Sequence, residues 1–203
     1  MEGAWNEDGK GQSIWDVFSN DPTNGNIVNG DNGRVACDSY HKYKEDVQLL
    51  KNMGVNSYRF SIAWTRILPN GIGDVNQLGI DYYNNLINEL IANNITPAVT
   101  LYHWDLPQAL QDQGGWLNPE VAFWFENYAR IVFQEFGDRV KVWITINEPW
   151  VVAIEGHSIG DMAPGMKGPG ILEYKVAHNL IRSHAKAYRV YQNEFFASQG
   201  GIY

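Results

Sequence analysis

Several polar residues stand in or just after otherwise apolar segments, and they recur at a fixed spacing. Arg59 lies within Tyr58-Arg59-Phe60-Ser61-Ile62, His103 and Trp104 follow Leu101-Tyr102, and Asn147-Glu148-Pro149 follows Trp143-Ile144-Thr145-Ile146. Arg59, His103 and Asn147 are separated by successive steps of 44 residues. Each side chain type has a chemistry to offer. A carboxylic acid among Trp143, Pro149 and Trp150 should lose solvation, which disfavours its anion and suits Glu148 to act as a general acid in glycoside hydrolysis. His103 and Trp104 bring a hydrogen-bonding ring and a flat apolar face, the combination that holds a sugar ring. A guanidinium in a buried strand must be paired, so Arg59 predicts a carboxylate partner nearby. Each residue also has a plainer reading: a loop Glu, a structural His in a packed aromatic loop, an ion pair without catalytic work.

The elements that must position these residues follow from periodicity. Val55 to Ile62, Ile95 to Tyr102 and Val140 to Ile146 are short, rich in β-branched and aromatic residues, and read as strands. Helices are expected from Ser39, with Asp38 or Ser39 as the cap, to Met53, where Val47, Leu50 and Met53 form an apolar stripe. Further helices are expected over 79–93, 119–136 and 172–196, with Tyr83, Leu86, Ile87, Leu90 and Ile91 at helical spacing in the first of these. Residues 1–37 are rich in Gly, Asn and Asp and read as turns and loops. Alternating strands and helices imply a parallel α/β sheet. Three regular units favour a (β/α)8 TIM barrel, whose strand ends converge on one mouth, over a doubly wound sheet, without deciding between them. Eight units of this length need about 350 residues, and the chain has 203.

Composition narrows the function. The net charge is −8, no Lys/Arg cluster occurs, and no apolar run is long enough to span a bilayer, so neither a nucleic acid nor a membrane is expected as a partner. The single cysteine, Cys37, excludes an intrachain disulfide and a CxxC redox pair. The stretch from Gly3 to Gly11 lacks the spacing of a phosphate loop, and neither HExxH nor an i, i+4 pair of histidines is found, so no metal site is expected. His178 and His184 read as structural. The eight Trp and eleven Tyr belong first to the core, with some left to line a ring-binding site. Nothing in the sequence speaks to oligomeric state or compartment.

Taken together, Tyr58-Arg59-Phe60-Ser61-Ile62 with Trp64 and Arg66-Ile67, His103-Trp104-Asp105-Leu106-Pro107, and Thr145-Ile146-Asn147-Glu148-Pro149 resemble the family 1 glycoside hydrolases, the β-glucosidase family. The resemblance extends to Glu2-Gly3-Ala4-Trp5, Ile14-Trp15-Asp16, Ala36 to His41, and Gly160 with Ala163-Pro164-Gly165. It implies a retaining β-glycosidase without metal or organic cofactor, acting on a small β-glycoside. Glu148 would be the acid/base, Asn147 would bond the 2-hydroxyl, His103 and Trp104 would hold the glycone, and Arg59 would lie beside the nucleophile. It also implies that residues 1–203 are one partial catalytic domain. Strands two to four and the start of strand five are present, whereas the family's nucleophilic Glu has no counterpart. Such a chain is expected to be inactive and poorly soluble alone; the competing expectation is a truncated paralogue that binds a sugar or a protein without cleaving it.

Overall fold

A computed structural model gives the fold and describes residues 2–20 and 25–202. Its elements run α1 (Ile14–Asn20), α2 (Ser39–Asn52), β1 (Ser57–Ser61), α3 (Trp64–Ile67), α4 (Gln77–Ala92), β2 (Thr96–Tyr102), α5 (Gln108–Gln111), α6 (Val121–Phe136), β3 (Val142–Ile146), α7 (Pro149–Ile154), α8 (Leu172–Val190) and α9 (Phe196–Gln199). The strands pair in parallel in the order β1-β2-β3. That order has no reversal, so the sheet lacks the switch point at which a doubly wound fold places its ligand. Ile202 adds a single parallel bridge to Val142, where the start of strand five was expected.

Burial separates the strands. From Pro97 to Tyr102 every residue of β2 is buried, whereas β1 and β3 are largely half-exposed. In this three-stranded sheet β1 is an outer strand, and Arg59 is exposed on it. The helical layer packs on the sheet through α6, which buries Val121, Phe125, Tyr128, Val132 and Phe136 at steps of three and four residues, with Phe133 beside them. Full burial of each large side chain contributes about 1.5–3 kcal/mol. The Tyr128 hydroxyl lies 3.0 Å from the Ile62 carbonyl and 2.9 Å from that of Leu101, so one core tyrosine ties the ends of two strands to α6.

The apolar stripes are shorter than expected. Val47 is buried, but Met53 is 75% exposed, because it caps α2 and its side chain lies beyond the last full turn. Ile91 is likewise exposed, while Tyr83, Leu86, Ile87 and Leu90 are buried. In the segment expected to be loop, α1 forms behind a reciprocal cap. The Ser13 N–H donates to Asp16 Oδ2 at 2.8 Å, and the Asp16 N–H donates to Ser13 Oγ at 3.3 Å. This is a capping box written as Ser13-Ile14-Trp15-Asp16, a signal the glycine-rich surroundings obscured. Of the turn dipeptides expected there, Asp21-Pro22 and Asn24 fall outside the described residues.

Candidate active site

The three residues spaced 44 apart become one cluster because the strands lie in register. Tyr102 is level with Ile146, and the Asn147 N–H donates to the Tyr102 carbonyl at 2.9 Å, so His103 and Asn147 leave their strands side by side. Arg59 starts lower on β1, level with Ala98, and its long side chain makes up the difference. Its Nε donates to Thr100 Oγ1 at 2.9 Å and its Nη2 to Asn147 Oδ1 at 2.5 Å. Asn147 Nδ2 then lies 3.3 Å from His103 Nε2. Behind β3, Thr145 Oγ1 and His184 Nδ1 are 2.8 Å apart, which fastens the strand end to α8 and gives His184 the structural role expected of it.

Burial lowers the pKa of His103, and the Arg59 cation lowers it further against the opposing pull of the Glu148 carboxylate. His103 is therefore a neutral ring at physiological pH. No carboxylate pairs with Arg59 among the described residues; its partners are a hydroxyl and an amide.

Glu148 follows Asn147 directly and sits in the left-handed region, at φ 45° and ψ 55°, with Pro149 starting α7 behind it. Trp104, directly after His103, has φ 69°. Bulky residues at positive φ are strained, and here both occupy the first turns beyond strand ends, where such strain gathers at functional sites. The apolar enclosure expected around Glu148 does not form. Glu148 is exposed and Trp150 is 67% exposed. Trp143 turns to the other side of the sheet and packs edge-on against Phe133 of α6, at 5.0 Å between ring centres. Alternation along the strand decides this: residues close in sequence to Glu148 need not share its side.

Trp104 is not placed as an open platform either. Only 9% of it is exposed, its Nε1 donates to the Ala163 carbonyl at 2.7 Å, and its edge meets Trp15 at 5.7 Å. The structure thus brings Arg59, His103, Asn147 and Glu148 to one mouth and sets Trp104 beneath it. Three of the eight tryptophans, Trp64, Trp116 and Trp143, are fully buried and structural. Trp5 and Trp15 instead line a cavity of about 250 Å³ that opens against His103 and Asp105, with Lys10, Ser13 and Asp16 supplying its polar wall.

Two features of this wall were missed from the sequence. Burial pushes the Asp105 carboxyl up to about 6, with Lys10 pulling the other way. Opposite it, Glu2 anchors the entry loop: its Oε2 accepts from Arg66 Nε at 2.8 Å and its Oε1 from the Tyr83 hydroxyl at 2.5 Å. Arg66 also donates to the Gly3 and Ala4 carbonyls and lies 4.0 Å from the centre of the Tyr40 ring. A carboxylate two residues from the start and an arginine ending SIAWTR carried no local signal, since their partnership spans 64 positions. Gly79 admits this arrangement: a side chain there would meet the Arg66 carbonyl at 2.1 Å. Among the described residues, no three His, Cys, Asp or Glu side chains converge to hold a metal ion, and no helix is long and apolar enough to cross a membrane.

Comparison with known proteins places this geometry. The model of glycosyl hydrolase family 1 matches residues 1–202. The chain belongs to glycosyl hydrolase family 1. It is 55% identical to β-glucosidase A of Thermotoga maritima over the whole of this chain, and spans 45% of that protein. It is also 55% identical to lactase/phlorizin hydrolase of Rattus norvegicus, over 99% of this chain and 10% of the rat protein. A solved rice β-glucosidase mutant in a covalent complex with Glc superposes with a TM-score of 0.96 at 51% identity, covering 99% of this chain and 44% of that one. The Thermotoga maritima family 1 β-glucosidase in complex with glucoimidazole superposes at 0.92 over 95% of this chain and 43% of its own. The parallel sheet is therefore part of a (β/α)8 barrel, about half of one, as the spacing and the family motifs led us to expect.

Proposed function

We propose that residues 1–203 form the acid/base half of a retaining β-glycosidase catalytic domain, β-glucosidase-like in its substrate. The observation that supports this reading most directly is the convergence of Arg59, Asn147 and His103 at the strand ends, with Glu148 next in the chain and held at positive φ. In this proposal Asn147 bonds the sugar 2-hydroxyl, and His103 takes a neighbouring hydroxyl. Trp104 forms the floor of the glycone subsite, and Arg59 sits beside the nucleophile. Glu148 gives its proton to the glycosidic oxygen as the bond to the anomeric carbon breaks and a second carboxylate attacks that carbon. Glu148 then takes a proton from the water that displaces the covalent sugar. The covalent glucose of the rice relative supports the two-step route. The ends of β1, β2 and β3 supply the acid and the sugar-holding groups but no second glutamate beside Glu148. The attacking carboxylate is assigned to a part of the enzyme beyond these strands, in keeping with a chain that spans under half of its β-glucosidase relatives.

The test compares two proteins on a nitrophenyl β-glucoside. The full-length protein should hydrolyse it and lose that activity on Glu148→Gln, while the purified 203-residue chain should show no substantial rate. Robust hydrolysis by the 203-residue chain, abolished by the same substitution, overturns the half-site reading. A full-length protein that binds glucosides without cleaving them overturns the glycosidase reading and leaves a sugar-binding paralogue.

A further inference from the structure

We propose that Arg59 is a positioning residue that fixes the tautomer of His103 through the Asn147 amide, so that Nε2 of His103 accepts from the amide and the ring proton stands on Nδ1. The chain of reasoning is one of donors and acceptors. A guanidinium only donates, so the Asn147 atom 2.5 Å from Arg59 Nη2 must be the carbonyl oxygen. That settles the orientation of the amide, which otherwise rests on assignment. Its other arm, the NH2, also only donates, and it lies 3.3 Å from His103 Nε2. Nε2 must then accept, and the ring proton belongs on Nδ1. Arg59 is itself held by Thr100, whose hydroxyl takes the Nε–H at 2.9 Å, so the guanidinium cannot swing away from the amide without losing a second bond.

The charges around the ring favour the same state. Arg59 opposes a second ring proton, Glu148 favours it, and burial decides against it, leaving the imidazole neutral. The single in-plane lone pair of Nε2 is thereby taken by the amide, and Nδ1–H is the donor of the ring. The tautomer stands on the protein geometry alone and does not rest on the proposed glycosidase function.

Nitrogen NMR of the full-length protein with 15N-labelled histidine, at a pH of about 8 where the free ring is neutral, reads the tautomer without any activity. His103, assigned by the signal lost in His103→Gln, should show a protonated Nδ1 and an unprotonated Nε2. Arg59→Met should release the amide and move both nitrogens to intermediate shifts, whereas Arg59→Lys, which keeps a donor facing Oδ1, should hold the wild-type pattern. Asn147→Asp offers Nε2 an acceptor only; it should move the proton to Nε2 and raise the His103 pKa by about 1 unit or more. A wild-type ring protonated on Nε2 overturns the proposal, as does an unchanged pattern in folded Arg59→Met. If Arg59→Met does not fold, Asn147→Asp decides: retention of the proton on Nδ1 overturns the proposal and transfer to Nε2 supports it. A full-length wild-type protein that lacks glucosidase activity but carries the His103 proton on Nδ1 counts against the proposed function and not against this inference.

Discussion

Arg59 and Arg66 lie seven residues apart, and the structure uses them in opposite ways. Arg66 is 1% exposed and surrounded: a carboxylate, two backbone carbonyls and an aromatic face take up its charge and its N–H groups. Arg59 stands in the open at a sheet edge, with a hydroxyl and an amide as partners. The first is a completed arrangement that pins the entry loop to α3 and α4. The second is directed at two side chains that do the proposed chemistry. The same residue type is structural where its partners are buried with it, and functional where it orients groups that stay accessible.

Substitutions should separate these two regions. The largest effect belongs to the accessible one. Glu148→Gln should cut kcat of the full-length enzyme by about 10²–10⁴-fold, the usual contribution of a general acid, with thermal stability unchanged. Steady-state kinetics beside a melting curve checks both halves. Arg66→Met should do the reverse in kind, costing about 3–5 kcal/mol because it leaves the Glu2 carboxylate without its buried partner. Arg59→Met should cost under about 1 kcal/mol of stability, so a urea titration of the two arginine variants is the sharpest test of the contrast. Equal losses would erase the distinction.

Two smaller effects concern pH. Asp105 keeps its proton in the folded state up to about 6 and loses it near the ordinary aspartate value of 3.8 once unfolded. The folded state therefore binds more protons between about pH 4 and about 6, and stability should fall as pH rises through that window. Asp105→Asn should flatten the fall, as urea midpoints across the window would reveal. His41 bridges Asp38 at 2.6 Å and Glu7 at 2.9 Å, and hydrogen bonds to these two carboxylates, Asp38 first, raise its pKa. Its contribution should be complete below the free value of 6.5 and vanish as pH rises through the folded value. The pair is exposed, so His41→Gln should remove only a slight slope above neutrality. A steep change there would place this loop contact closer to Arg66 in importance than to the surface.

The strands, the four long helices and the order of polar residues at strand ends were legible from the chain, because periodicity and spacing are local or repeat regularly. The acid itself was legible, since Asn147-Glu148-Pro149 ends an apolar strand. Its surroundings were not. Trp143 and Trp150 flank Glu148 in sequence, yet alternation carries one behind the sheet and the helix start carries the other into solvent. Trp104 read as a platform because of its type; its hydrogen bond to Ala163, 59 positions away, makes it a floor. The capping box at Ser13 was readable and was hidden only by the glycines around it.

The sequence by itself determined which side chains could meet: equal spacing on parallel strands brings Arg59, His103 and Asn147 to one end whatever lies between them. Only the tertiary structure decided what each of them faces. Partner identity depends on register, on which strand forms the edge, and on contacts separated by 44 to 88 positions. Those are properties of packing, and a string of residue types does not carry them.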